Sequence, residues 1–186
     1  MAHEAKIEIL EAMCRLCETR PFSRLSVVDI AREAGISRSS FYYHFSDRND
    51  AVQWLSRSAF ANGIDQIGRT LSWFDGHFAT TRTLQPFKPL IVAAAQDSGY
   101  SGAEMSYLRH RRANLYETLS LRDVETTDEL LFQIEALAAS EQHLTSTFIR
   151  GELGDMPARR FCELLVGIVP TALREATELG RLAPDS

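Results

Sequence analysis

Residues 26–48 read SVVDIAREAGISRSSFYYHFSDR, and the punctuation of this stretch sets two short helices about one tight turn. Ser26 stands where it can cap the helix that follows, and Asp29, three residues later, favours the exposed amides of a helix start. Val27, Ile30, Ala31 and Ala34 form an apolar stripe at helical spacing, enough for a first helix of about two turns. Gly35 comes where the chain must turn sharply, through a left-handed conformation that a side chain would penalise. Ile36 packs in that turn. Ser37 caps the second helix, in which Phe41 and Phe45, four apart, share a buried face. The opposite face is left to Arg38, Ser39, Tyr42 and Tyr43.

A helix presenting arginine, hydroxyls and phenols suits a DNA major groove, because these groups donate to base edges and phosphate oxygens. The arrangement is a helix-turn-helix. The run IAREAGISRSSFYYHFSDR resembles the most recognisable segment of TetR/AcrR-type transcriptional regulators: an isoleucine-alanine pair, an alanine-glycine turn, then an aromatic-aromatic-histidine-phenylalanine ending. Counting the preceding helix, the likeness runs ungapped from near Ile9 to Val52. The resemblance implies that Ser26, Tyr42, Tyr43, His44 and Arg48 contact phosphates and that Arg38, Ser39 and Ser40 lie at base edges, with Tyr42 also near a thymine methyl. The opposing reading packs the aromatics inside and leaves the serines only as caps. It holds for Phe41 and Phe45; Tyr42 would then need a buried partner for its hydroxyl, and His44 suits packing as well as a phosphate. Two departures from the family pattern stand out. Pro21 replaces the glycine that usually ends the first helix, and Arg48 replaces a lysine, with two hydrogen bonds available to a phosphate instead of one.

The chain of 186 residues carries a formal charge of −5, which argues against nucleic-acid binding over the whole surface. From residue 20 to residue 48, however, five arginines face three acids, an excess of two on a body that is otherwise acidic. A small cationic patch of this kind fits a protein that touches DNA at one end only. No apolar run approaches the roughly 20 residues of a membrane helix, and no apolar signal core follows the first residues, so a cytoplasmic protein is expected. Cys14, Cys17 and Cys162 make no even disulfide framework and fit a reducing compartment. The Cys14–Cys17 spacing is that of a redox pair, but it falls mid-helix on an apolar side, where buried packing accounts for it. No zinc set, phosphate loop, nucleophile elbow or paired-carboxylate motif can be assembled; no catalytic residue, metal or cofactor is expected.

Elsewhere the pattern is helical with no alternating strands, which predicts an all-α fold: a three-helix amino-terminal domain with the helix-turn-helix over 1–46, and a larger helical effector-binding and dimerisation domain over 47–186. The first helix spans 2–19. Ser46 caps a helix that continues through Val52, Leu55, Phe60, Ile64, Ile67 and Leu71 and joins the domains. Gly76 and three threonines predict a break over 75–83. Helices follow near 86–97, over 102–121, over 127–150, and over 157–180 with a kink at Pro170. The last two carry wide apolar faces, Leu130, Leu131, Ile134, Leu137, Leu144 and Phe148 in one, Phe161, Leu164, Leu165, Ile168, Leu173 and Leu179 in the other. In the family this chain resembles, such helices form a four-helix dimer interface; the plainer alternative is the core of a monomer.

The run Arg109-His110-Arg111-Arg112 points around most of a helix, and reads mainly as a solvated face paired with nearby acids, the alternative being Arg109 or His110 turned inward to bind an acidic effector. Candidate effector-pocket residues are Trp54, Trp73, Phe74, His77, Phe87, Tyr100, Tyr107 and His110, although aromatics at such spacing are commonly plain core. The expected function is a sequence-specific, ligand-responsive repressor binding double-stranded DNA as a homodimer, with a small-molecule effector or a protein partner and no membrane. Residues 41–55, FYYHFSDRNDAVQWL, also resemble the branch of the family related to dihydroxyacetone-kinase regulators, some of which act with a protein partner. The alternatives are a helical dimeric adaptor of the same fold and a small helical enzyme using His77 with Asp75.

Overall fold

In the computed structural model, which describes residues 2–97 and 103–178, the described chain is all-α, with a single isolated bridge between Ile67 and Leu71 and no strand. The helices are α1 (Ala2–Cys17), α2 (Val27–Glu33), α3 (Arg38–His44), α4 (Arg48–Ala61), α5 (Trp73–Leu84), α6 (Lys88–Ala95), α7 (Ala103–Ser120), α8 (Asp128–Arg150), α9 (Ala158–Gly167) and α10 (Thr171–Ala176), with 3-10 turns at Phe22–Arg24, Ile64–Gln66 and Gln85–Phe87. Two compact units result: residues 2–58 with 84–97, and residues 59–83 with 103–178. Tyr100, Leu179 and the Ser98-Gly99 pair lie outside the described residues.

Helices of seven residues cannot hold themselves in water, so α2 and α3 depend on what braces them. In the first unit that brace is α1, whose Ile9, Leu10 and Met13 are fully buried together with Ile30 and Phe41. Leu55 of α4 and Leu90 of α6 are buried in the same unit. At the end of α1 the amide of Arg20 donates to the Leu16 carbonyl at 3.0 Å, and Pro21 then opens the 3-10 turn in an extended conformation. The proline thus stops the helix without the left-handed residue a glycine would supply.

Four sequence expectations are corrected. The cap of α4 is Asp47, whose carboxylate accepts the Asp50 amide at 2.8 Å, while the Asp50 side chain reaches back to the Ser46 amide at 3.0 Å. Two aspartates three apart outcompete the serine because an ionised acceptor makes the stronger cap. The helix expected to run to Leu71 ends at Ala61. A Cβ at Gly63 would fall 2.7 Å from both the Gly76 carbonyl and the Thr80 amide, so the chain passes here against α5 at a distance only glycine permits. For the same reason the expected break over 75–83 is absent and α5 runs unbroken. Gly76 and Thr80 form its contact face, with the Thr80 hydroxyl accepting the Ile64 amide at 3.0 Å, and Ser72 caps its start by accepting the Asp75 amide at 3.1 Å. Finally, Pro170 breaks the last segment instead of kinking it: α9 stops at Gly167 and Pro170, extended at φ −56° and ψ 140°, starts α10.

The second unit has a main core around Ile64, Ile67, Leu115, Leu119, Ile134 and Leu173, and a smaller aromatic one around Phe161, Cys162 and Leu165. Thr127 caps α8 and Gly151 ends it in the left-handed conformation, matching the expected bounds of that helix.

Candidate nucleic-acid interface

The turn between α2 and α3 is fixed by backbone chemistry. Gly35 adopts φ +68°, its amide donates to the Arg32 carbonyl at 3.2 Å, and the Ile36 amide reaches Ala31 at 2.9 Å. This pair of bonds is the Schellman closure that satisfies helix-end carbonyls. At the start of α2 the Ser26 hydroxyl accepts the Asp29 amide at 3.1 Å and donates to the Asp29 carboxylate at 2.6 Å. The Ser26 hydroxyl, and beyond it the Arg20 cation, hold the Asp29 carboxyl below the usual carboxylate range. At the start of α3 the Ser37 hydroxyl accepts the Ser40 amide at 3.0 Å.

Two aromatic residues anchor α3 and two are presented by it. Phe41 and Phe45 are buried, whereas Tyr42 is 51% and Tyr43 82% exposed. Behind Phe45 lies the Trp54 ring, and the Lys6 ammonium sits 4.8 Å from that ring and 5.3 Å from Phe45. Arg38 and Ser39 are exposed beside the tyrosines, Ser40 and His44 are half-buried, and His44 meets the Tyr43 ring edge-on at 5.0 Å. Six of the eight expected DNA-contact residues therefore share one short helix, and Ser26 is exposed at the start of its neighbour. Arg48 differs. Its guanidinium donates to the carbonyls of Ser23 at 3.0 Å and Leu25 at 2.8 Å, lies over the Phe22 ring at 5.2 Å, and pairs with Asp97 at 3.7 Å.

Of the eight expected effector-pocket residues, the seven described ones divide between the two units. Trp54 and Phe87 belong to the first unit, Phe74 stacks on Phe78 beside the aromatic core of the second, and Tyr100 falls outside the described residues. An open groove of about 470 Å³ in the first unit, bordered by Glu18, Arg20, Phe22, Gln96 and Asp97, includes none of the eight. Nor are His77 and Asp75 a pair: Asp75 bonds Ser72 on the surface, and His77 is buried.

Trp73, His77 and Tyr107 do meet, around a charge that the sequence reading put outside. Arg111, expected on a solvated face, is completely buried and grips Glu141, equally buried, through Nε at 2.7 Å and a second nitrogen at 3.2 Å. Its remaining nitrogen donates to Asn114 at 3.0 Å and to the Ile64 carbonyl at 3.3 Å. His77 Nε2 approaches the same carboxylate to 3.1 Å, off the direction of a hydrogen bond, and the Tyr107 hydroxyl lies 3.4 Å from it. His110 pairs with Asp65 at 2.8 Å. Burial alone would raise the Glu141 carboxyl; Arg111, then His77, pull it down to about 2. The signal was present in the sequence: Arg111 continues the stripe of Leu115 and Leu119, and Glu141 that of Ile134, Leu137 and Ala138. A charge on an apolar stripe is a charge inside the protein.

Among the described residues no helix is long and apolar enough to cross a membrane, and no cluster of histidine, cysteine and acidic side chains could hold a metal ion.

A capped, glycine-turned helix pair that exposes phenols, arginine and hydroxyls on its second member defines the helix-turn-helix class of DNA-binding proteins. Residues 9–52 match the family described as bacterial regulatory proteins, tetR family. The HTH-type transcriptional regulator EthR of Mycobacterium tuberculosis is 27% identical over 91% of this chain and 87% of its own length. AlkX of the same organism is 32% identical over 48% of the chain, and TtgR of Pseudomonas putida 37% over 29%. The matched stretch spans 42% of AlkX and 26% of TtgR, less than half of either. Among solved structures, the dihydroxyacetone kinase operon activator DhaS superposes with a TM-score of 0.67 at 19% identity, covering 92% of this chain and 97% of that one, a likeness of fold. The match to the tetR family thus lies in residues 9–52, and over 91% of its length the chain is similar to an HTH-type transcriptional regulator.

Proposed function

We propose that the chain is a cytoplasmic, homodimeric repressor whose operator affinity falls when an effector occupies the domain from residue 47 onward. The observation that carries the DNA side of this reading is the exposure of Tyr42 and Tyr43, together with Arg38 and Ser39, on a helix whose Phe41 and Phe45 are buried. In this reading Ser26, Tyr42, Tyr43 and His44 take phosphates, and Arg38, Ser39 and Ser40 lie at base edges. One reading helix binds weakly; two, held about one helical turn of DNA apart, read a site with half-site symmetry.

Dimerisation through the segments 127–150 and 157–178 is supported by apolar surface there: Leu164 and Ile168 are 44% and 42% exposed, and Leu144 and Phe148 are half-buried. The effector acts by population shift, preferring a conformation in which the two reading helices are misplaced, with α4 as the covalent route from residue 48 to residue 61. Anisotropy titration against the DNA immediately upstream of the chain's own coding sequence tests the reading. Specific binding that weakens steeply with salt supports it. Binding no tighter to that DNA than to a scrambled duplex, or a monomer at micromolar concentration in sedimentation, overturns it.

A further inference from the structure

The first unit carries a second device besides its reading helix. Arg48, the first residue of α4, projects into the loop before α2, where it binds the carbonyls of Ser23 and Leu25, covers the Phe22 ring, and is matched by Asp97 just beyond the end of α6. These carbonyls belong to the residues that lead into Ser26, the cap of α2, in a 3-10 turn closed by bonds from Arg24 to Pro21 and Leu25 to Phe22 and seated by the buried Phe22 and Leu25 side chains. The Arg48 side chain is only 29% exposed and Asp97 only 11%, so this pair lies largely out of water. One guanidinium nitrogen binds both carbonyls and the other faces Asp97, two positions that the planar fork holds apart and that the single nitrogen of an ammonium cannot occupy at once.

We propose that Arg48 is a positioning residue for DNA recognition, not a phosphate contact, and that Arg48 with Asp97 forms a latch by which the end of α6 sets the placement of the α2 amino terminus. The latch holds the loop 22–25, the loop holds the Ser26 cap, and the cap with Gly35 sets where α3 presents Tyr42 and Tyr43. A change at the end of α6 is thereby transmitted to the reading helix inside one compact unit. This rests on the DNA-binding reading above.

Charge makes the test decisive. Removing the acid at position 97 makes the DNA-binding unit more positive, so simple electrostatics predicts tighter DNA binding for Asp97→Asn; the latch predicts weaker binding. Arg48→Lys keeps the cation and could still meet a phosphate, yet cannot span two carbonyls and Asp97. The full-length chain and its Asp97→Asn, Arg48→Lys and Arg48→Ala variants, each checked for folding by circular dichroism, are titrated with the upstream duplex at several salt concentrations. All three variants should lose about tenfold in affinity, the loss expected when a cap-level interaction is removed, with an unchanged slope of log affinity against log salt. Parent-like binding by Arg48→Lys, a slope reduced by about one in Arg48→Ala, or tighter binding by Asp97→Asn would overturn the latch. Hydrogen exchange supplies an arm independent of DNA: the amides of Arg24, Leu25 and Asp29 should exchange faster in Arg48→Lys and Asp97→Asn. If the parent binds no specific DNA the regulator reading fails while exchange still decides the latch, and parent-like exchange at those amides rejects it.

Discussion

The two units solve the problem of burial in opposite ways. In the first, the described buried side chains are all apolar, from Ile9 and Phe22 to Leu90 and Ala94, and the polar groups work at the surface as caps and as the proposed contacts. In the second, the apolar cores coexist with buried His77, Thr80, Arg111, Asn114, Thr118, Glu141 and Thr177. A buried ion pair is a poor source of net stability, since desolvation offsets much of its Coulomb gain, but it penalises arrangements in which either charge is left alone. The contrast suits the roles proposed for the two regions. A reading head must keep one shape, and an apolar core with defined caps supplies that. A unit that must choose between conformations can use a polar network, because a change of conformation that separates its members carries a definite penalty.

The sharpest way to break this contrast is Glu141→Ala. Deleting one partner leaves Arg111 completely buried without its carboxylate, and such losses cost about 3–5 kcal/mol. Thermal unfolding should show the second unit destabilised by that order, while replacing both partners by apolar residues of similar volume, as in Arg111→Met with Glu141→Leu, should recover most of it. A single mutant within about 0.5 kcal/mol of the parent would mean that the pair is not sealed from water, and the contrast between the units would collapse.

Titration gives the next largest effect. The Glu141 carboxyl is depressed from 4.5 to about 2 in the folded chain. A depressed acid contributes stability that is fully present above the unfolded value and is lost as pH falls through the folded one. The second unit should therefore lose stability between about pH 4.5 and about pH 2, and Glu141→Gln should flatten that part of the curve. Among the described residues of the first unit no charged side chain is fully buried as Glu141 is, the largely covered Arg48–Asp97 pair included. Identical acid sensitivity in parent and Glu141→Gln would show that other carboxylates carry the dependence.

In the first unit the comparable experiment concerns backbone conformation. Gly35 sits at φ +68° with nothing within 4 Å of where a Cβ would stand, so Gly35→Ala costs only the left-handed conformation, about 1–2 kcal/mol, with no clash added. Gly35→Asn, whose side chain tolerates that region, should cost less. Equal losses in chemical denaturation would point to crowding that the backbone geometry does not contain.

That difference between the units also governs what could be read from the sequence. Ser26, Gly35, Ser37, Phe41 and Phe45 act through local rules, a cap, a turn and a face, each complete within four residues, and the structure places every one of them as those rules require. The misreadings sit where a residue's role depends on something far along the chain. Gly76 and Thr80 look like helix breakers until the segment 63–67 is laid against them. Arg111 looks solvated beside three other basic or potentially basic residues until Glu141, thirty positions on, is brought to it. Arg48 matches a phosphate-binding position by register, and the latch proposed for it follows only from the placement of Ser23, Leu25 and Asp97 around it. The effector list depends on the same long-range placement, since aromatic spacing says that a ring is buried and not which rings share a space.

The smallest expected change separates function from stability most cleanly. Tyr43 is 82% exposed and its ring touches only the edge of His44, so Tyr43→Phe removes a hydroxyl from water and from nothing else in the free chain. Its unfolding free energy should stay within about 0.5 kcal/mol of the parent, as for surface changes in general. If the hydroxyl donates to a phosphate in the complex, DNA affinity should nonetheless fall by about 0.5–1.5 kcal/mol, the net worth of one hydrogen bond, or roughly two- to tenfold. Because no charge is lost, the salt dependence should match the parent's. Affinity and stability falling together would place the Tyr43 ring in the packing of the first unit, and the outward face of α3 would lose its claim to be a reading surface.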